Sequence, residues 1–137
     1  LGYDFDARYE DGKASNRHKK IMDNFIEEKK DSEIYSNVLK KQAGFGKDGE
    51  KGFDGVITNL MMQIYLCNCD FKKRVNKKGM EYGWDVAVYS SVEHIYGYDY
   101  VTSCYKDDPQ DSWKQIVDYM HEIYPVVTDK QIKKVLK

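Results

Sequence analysis

Residues 53–64 read FDGVITNLMMQI, and this stretch decides the fold that the sequence predicts. Its apolar side chains recur at steps of three and four, which places them on one stripe of an amphipathic α-helix. The stripe contains Phe53, Val56, Ile57, Leu60, Met61 and Ile64. The opposite face carries Thr58, Asn59, Met62 and Gln63. We therefore predict a third helix that packs on the core and leaves a small polar face available for a ligand.

After this helix the period of the pattern changes to two, which is typical of strands with one buried face. Apolar and polar residues alternate over residues 65–71 and again over residues 82–88. The intervening residues 72–80 contain Asn76 and Gly79, which favour a turn. They also contain five cations, Lys72, Lys73, Arg74, Lys77 and Lys78. The pattern predicts a β-hairpin with a long basic loop, with Cys67, Cys69 and Phe71 on its buried face.

Before residue 53 the sequence predicts one strand and two helices. In residues 3–9, YDFDARY, apolar residues alternate with charged residues, which indicates an edge strand. Residues 15–30 have apolar positions at helical spacing and basic residues near their start. A second helix is expected to begin with Ser32 as its cap and to include Ile34 and Tyr35 on its apolar stripe.

In the C-terminal third, the sequence predicts two further helices after a tyrosine-rich connector. Asp108-Pro109 supplies a cap and a first-turn proline for a helix that Pro125 ends. Thr128 and Gln131 have the spacing of a capping box at the start of a last short helix.

The order of these elements predicts an α+β fold: a winged helix, formed by three helices and a β-hairpin wing, with an N-terminal edge strand and a C-terminal helical extension. The expected division is residues 1–95 for the winged-helix domain with its strand and residues 96–137 for the extension packed on it.

Composition limits the classes of function. The 137 residues fit one compact domain, and 22 Lys and Arg against 23 Asp and Glu leave a net charge of -1. Nucleic-acid binding therefore requires a local basic patch. The sequence has no apolar run of about 20 residues, no signal peptide and an odd number of cysteines, so we expect a cytoplasmic protein with no membrane partner. It begins at Leu1, and we expect it to be part of a longer protein.

Three short motifs have both a functional and a simpler structural interpretation. GFGKDG at residues 44–49 matches G-x-G-x-x-G, but it follows a predicted helix instead of a strand, which favours a glycine-rich connector and no nucleotide cofactor. Cys67 and Cys69, with Cys104 and a histidine, have the donor types of a zinc site, and Asp4-x-Asp6 has those of a divalent-cation site. Strand periodicity explains both pairs better than a metal site does, so we assign no metal, no cofactor and no catalytic residue.

The chemistry of the hairpin and the third helix predicts contact with duplex DNA. Basic residues of the wing neutralise phosphates, while polar side chains on a helix hydrogen-bond base edges. The predicted wing contacts are Lys72, Lys73, Arg74, Lys77 and Lys78, and the predicted groove contacts are Thr58, Asn59 and Gln63. The alternative is a structural or protein-interaction module, for which the tyrosines of residues 96–105 supply a suitable surface.

Three segments carry a family resemblance: GYDFDARYEDG from Gly2, KGFDGVITNLMMQIYL from Lys51 and YGWDVAVYSSVEH from Tyr82. Together they resemble the AlkZ-related proteins of Gram-positive bacteria, distant relatives of the AlkZ/YcaQ winged-helix DNA glycosylases. The resemblance extends to DKQIKKVLK at the end of the chain. It implies a winged-helix fold, a bacterial DNA-repair context and duplex DNA as partner, with a further protein partner or an N-terminal domain before Leu1.

The same resemblance leaves catalysis open. The glycosylases carry a Gln-x-Gln motif, and the third helix here reads Met61-Met62-Gln63. The related group often shows a Gln-x-Gln string at this position, but a string inside a different helix does not transfer the catalytic role to Gln63. We therefore expect a nucleic-acid-binding module of a DNA-repair protein, whose glycosylase activity rests on the resemblance alone.

Overall fold

The computed structural model describes residues 2–26 and 33–136. Within these residues the fold is α+β, as predicted, with eight α-helices and a three-stranded sheet. The helices are α1 (Gly2–Glu10), α2 (Asn16–Ile26), α3 (Ser36–Gln42), α4 (Phe53–Met62), α5 (Val92–Tyr96), α6 (Tyr98–Thr102), α7 (Pro109–Ile123) and α8 (Asp129–Val135). The strands are β1 (Glu33–Tyr35), β2 (Leu66–Val75) and β3 (Glu81–Ser91), and Ser103–Lys106 form a 3-10 helix.

The chain divides into two compact units, residues 1–101 and 102–137. The first contains the sheet and the helices from α1 to α5, and the second contains α7 and α8. No helix among the described residues has the length and apolar character required to span a bilayer.

The core of the first unit forms around α4, whose predicted amphipathic stripe is confirmed. Phe53, Val56, Ile57 and Leu60 are buried, and they join a cluster with buried residues of α2, α3, β1 and β2. These partners are Ile21, Met22, Ile34, Leu39 and Leu66. Thr58, Asn59 and Met62 are exposed, so α4 presents its polar face outward.

The sheet is antiparallel and has the order β1-β3-β2, with β3 in the centre. The predicted hairpin is confirmed, but its strands are longer than expected because pairing continues to Val75 and Glu81. Only residues 76–80 form the turn, which Gly79 supports with a φ of 78° and Asn76 by accepting hydrogen bonds from the backbone of Lys78 and Met80. The prediction of a long basic loop was therefore wrong.

The outer half of the hairpin does not follow the predicted buried stripe. Trp84 is 88% exposed and Phe71 is 64% exposed. Register shifts interrupt the pairing between Asn68 and Asp70 and between Lys73 and Arg74. Each shift changes which side chains share a face, so a strict period of two cannot describe the whole hairpin.

The predicted N-terminal strand was wrong, because residues 2–10 form helix α1. Residues four apart fit both a period of two and one helical turn, so the alternation does not separate strand from helix. Phe5 and Tyr9 contact the core, whereas Tyr3 is exposed. The Phe5 ring packs edge-on against Tyr65 with 5.5 Å between centroids. Asp4 and Asp6 consequently lie on a helix instead of an edge strand.

The second predicted helix begins later than expected. Ile34 and Tyr35 belong to β1, which pairs with Tyr89 and Val88 of β3, and α3 starts at Ser36. This pairing joins residues far apart in sequence, so local periodicity could not predict it. The expected cap Ser32 and the last residues of the predicted first helix lie outside the described residues.

The predicted helix starts in the C-terminal third are confirmed. Asp108 accepts a hydrogen bond from the Gln110 amide, and Pro109 occupies the first turn of α7. Thr128 and Gln131 form the predicted capping box of α8.

Helix α4 ends in a strained turn at Ile64. The Ile64 amide donates to the Met61 carbonyl and the Tyr65 amide to the Leu60 carbonyl, which is the hydrogen-bond pattern of a Schellman motif. This motif places Ile64 in the left-handed region, with a φ of 62°. The position usually holds glycine because a β-branched side chain is strained there. Ile64 is also 70% exposed, which corrects its predicted place on the buried stripe.

Replacing Ile64 with glycine is expected to raise the free energy of unfolding by about 1 kcal/mol, because it removes left-handed strain and sacrifices little burial. Urea denaturation followed by circular dichroism measures the change. Met62→Gly is the control, since it places glycine inside the helix and should lower stability by about 0.5–1 kcal/mol. A destabilised Ile64→Gly protein would contradict the left-handed conformation.

Candidate nucleic-acid interface

Two of the predicted groove residues contact each other at the C-terminal end of α4, where Asn59 is exposed and Gln63 is the half-buried C-cap residue. Asn59 and Gln63 are four residues apart and therefore adjacent on the helix surface. The Gln63 Nε2 donates to Asn59 Oδ1 at 2.7 Å. Thr58 is exposed on the same helix.

Helix α2 contributes a third polar residue to this face. His18 Nε2 lies 2.9 Å from Asn59 Oδ1. Its Nδ1 lies 2.7 Å from Ser15 Oγ and accepts from the Ser15 amide at 3.2 Å. Ser15, His18, Asn59 and Gln63 thus form one chain of hydrogen bonds, which we call the polar relay. Ser15 and His18 were not predicted as site residues, because the sequence shows only their local three-residue spacing and Asn59 lies 41 residues beyond His18.

Basic residues surround the loop before α4. Arg17 Nη1 donates to the Lys51 carbonyl at 3.2 Å. The Lys51 ammonium donates to the carbonyls of Gly46 and Lys47 at 2.9 and 2.7 Å. Lys47 and Arg17 are themselves exposed, so cations lie near the N-terminal end of α4. The clustered basic residues at the start of α2 were the sequence signal for Arg17.

The five predicted wing cations separate into two groups. Lys72 lies on β2 and pairs with Asp70 at 3.2 Å and Glu33 at 3.5 Å. The hydrogen bond with Asp70 is the main cause of the raised pKa of Lys72, since it favours the charged ammonium. Arg74 is half-buried, and its guanidinium lies 5.2 Å from the centroid of the Tyr82 ring. Both side chains therefore have partners within the protein.

The other three wing cations point to solvent. Lys73, Lys77 and Lys78 are exposed, and none forms an ion pair with any described residue. Lys77 and Lys78 lie in the turn, and Lys73 lies on β2 close to it. These three side chains, which we call the wing lysines, are available to an anionic ligand.

The sequence profile of the family described as "AlkZ related" matches residues 1–137. The chain belongs to the AlkZ-related family. Membership of this family suggests a protein related to DNA repair. No curated protein and no solved structure gives a significant match.

In this AlkZ-related protein the backbone amides of the glycine-rich loop form hydrogen bonds within the loop. The amides of Gly46, Gly49 and Glu50 donate to loop carbonyls, and residues 45 and 50 form an isolated bridge. Glu50 also pairs with Lys20 at 2.9 Å, and this hydrogen bond is the main cause of the lowered pKa of Glu50. The loop therefore connects α3 to α4, as predicted from its position after a helix.

The two strand cysteines of the AlkZ-related chain face backbone carbonyls of β3. Cys67 Sγ donates to the Ser90 carbonyl at 3.7 Å and Cys69 Sγ to the Val88 carbonyl at 3.3 Å. Burial raises the pKa of both thiols. Within residues 2–26 and 33–136 no group of three or more His, Cys, Asp and Glu side chains has the arrangement of a metal site.

Iodoacetamide at pH 8 is expected to alkylate exposed Cys104 before Cys67 and Cys69, because the thiolate is the reacting form and burial, which raises the pKa of both strand thiols, lowers their thiolate fraction and their accessibility. Mass spectrometry of timed samples measures the order. The same reaction in urea serves as the control, since unfolding should equalise the three rates. Equal rates in the folded protein would contradict the burial of the strand thiols.

Proposed function

We propose that this chain is a winged-helix module of a DNA-repair-related protein and that it binds duplex DNA. In this proposal α4 lies in the major groove and the β2–β3 hairpin is the wing that contacts the phosphate backbone. Residues 1–95 are the proposed winged-helix domain, residues 96–137 its helical extension, and the cytoplasm its compartment. The proposal assigns no catalytic residue.

The observation that carries the proposal is the arrangement of the elements around α4. They follow the order α2-β1-α3-α4-β2-β3, and the sheet has the order β1-β3-β2. Three helices with a short strand after the first and a hairpin after the third are the pattern of a winged helix. The apolar stripe of α4 is buried and its polar face is exposed, as a groove-binding helix requires.

The local distribution of positive charge also supports duplex binding. The net charge is -1, so the chain as a whole does not attract DNA. The wing lysines nevertheless form no ion pair with any described residue, although Lys73 lies opposite Asp85 in the strand register, and Arg17 and Lys47 lie near the start of α4. Each lysine or arginine that neutralises a phosphate releases counterions and stabilises the complex without regard to sequence.

Reversing the wing lysines tests this proposal. The variant Lys73→Glu/Lys77→Glu/Lys78→Glu is expected to bind a short labelled duplex at least about tenfold more weakly, and its plot of log affinity against log salt should be flatter by about three. Fluorescence anisotropy at several salt concentrations measures both quantities.

A charge-matched control changes three exposed lysines of the second unit, Lys114→Glu/Lys130→Glu/Lys133→Glu. It alters the net charge equally and should retain most of the affinity and slope. Equal losses in both variants would show a response to overall charge, and wild-type affinity in the wing variant would remove the wing from the interface.

A protein-interaction module is the second candidate function. Tyr96, Tyr98 and Tyr100 are largely exposed on α5 and α6, and the rings of Tyr96 and Tyr100 are 6.2 Å apart. Exposed aromatic side chains are enriched at protein interfaces. Absence of duplex binding by the wild-type chain would favour this candidate.

A further inference from the structure

One backbone amide determines which atoms donate and which accept along the polar relay. The Ser15 amide can only donate a hydrogen bond, and it donates to His18 Nδ1. In a neutral imidazole one nitrogen accepts and the other carries the proton. Since Nδ1 accepts, the proton lies on Nε2, and His18 Nε2 donates to Asn59 Oδ1 at 2.9 Å.

The donor and acceptor roles of His18 determine those of Asn59 and then those of Gln63. Asn59 Oδ1 accepts from His18, so the oxygen of the Asn59 amide faces the relay and its nitrogen faces away. An oxygen at this position requires a donor from Gln63, and Gln63 Nε2 donates to it at 2.7 Å. The amide orientation of Gln63 is therefore set by contacts that begin in α2.

The relay leaves a defined set of groups for a ligand. Nε2 of Gln63 has two hydrogens and uses one of them within the relay. One N–H donor and the acceptor Oε1 remain on the same amide. Asn59 keeps only donors, because both contacts of its side chain are made by Oδ1.

We propose that Gln63 recognises adenine in the major groove and that Ser15, His18 and Asn59 are positioning residues for its amide. Adenine presents the acceptor N7 beside the donor N6–H₂, which matches one N–H and one oxygen of a glutamine amide. Guanine presents two acceptors at the same edge, so Oε1 would face O6 without a hydrogen bond. This inference rests on the proposed function, which places α4 in the groove.

The relay explains how Gln63 can prefer adenine to guanine although its side chain is flexible. An unrestrained glutamine amide can turn over and exchange its oxygen with its nitrogen at little cost, whereas the bond to Asn59 Oδ1 fixes the side on which the nitrogen lies. Removing His18 should therefore reduce base discrimination although His18 itself contacts no base.

The first experiment uses the wild-type chain. Selection from a duplex library with a randomised centre identifies the preferred site, and anisotropy then compares duplexes with A·T, with G·C and with 7-deazaadenine at the selected position. We expect A·T to bind about tenfold more tightly than G·C. The 7-deazaadenine duplex, which lacks the N7 acceptor, should lose most of this advantage.

The second experiment compares variants by their ratio of A·T to G·C affinity. Gln63→Met removes both groups that contact adenine, and His18→Ala removes the first positioning side chain, so both should bring the ratio close to one. The wing variant should weaken binding to both duplexes and keep the ratio, and circular dichroism confirms that each variant folds.

The outcomes separate this inference from the proposed function. Equal affinity of the wild-type chain for A·T, G·C and 7-deazaadenine duplexes, or an A·T preference that persists in Gln63→Met, overturns adenine recognition and leaves duplex binding intact. No binding to any duplex overturns both. A preference that is lost in Gln63→Met and kept in His18→Ala refutes the positioning role of the relay.

Discussion

The buried stripe of α4 packs against α2 and β2, and this contact determines what the rest of the first unit presents to solvent. Ile57 and Leu60 are almost completely buried within it. Burying a side chain of this size stabilises a fold by about 1.5–3 kcal/mol, so a rotation of α4 about its axis would be costly. Asn59 therefore remains on the side near α2, where His18 contacts it, and Gln63 contacts Asn59 in turn. The turn at Ile64 then leads directly into β2 and fixes where the hairpin begins.

The arrangement also explains how a chain with almost no net charge can present cations to a ligand. Several lysines form ion pairs on the surface with acidic residues of the same chain: Lys20 with Glu50, Lys72 with Asp70 and Lys13 with Asp11. Exposed pairs of this kind contribute little stability, but they reduce the positive charge available at their positions. The wing lysines have no such partner among the described residues. The position of the unpaired lysines, more than the total number of lysines, therefore determines where an anionic backbone can bind.

Features encoded by neighbouring residues were predictable from the sequence. The amphipathic stripe of α4, the caps at Asp108 and Thr128 and the turn at Asn76 all depend on residues within a few positions of one another. Features that depend on distant partners were not predictable. The short strand β1 exists because it pairs with β3, and α1 is a helix whose Phe5 packs against Tyr65.

The candidate interface shows the same division. The sequence identified Asn59 and Gln63 as polar positions on an outward face, and the lysines of the hairpin as basic. It did not show that Lys72 and Arg74 have partners within the fold. Lys72 pairs with Asp70, two residues earlier on β2, whereas Arg74 lies against Tyr82 of β3 only through strand pairing after a register shift. It also missed His18, whose role depends on a contact between two helices.

The most direct test of duplex binding by α4 and the wing is nuclear magnetic resonance of the ¹⁵N-labelled chain during titration with a short duplex. If α4 and the wing contact the duplex, the largest amide shift changes fall within residues 47–64 and 72–80, together with residues 15–18. Changes confined to α5 and α6, or spread evenly over the surface, would contradict it.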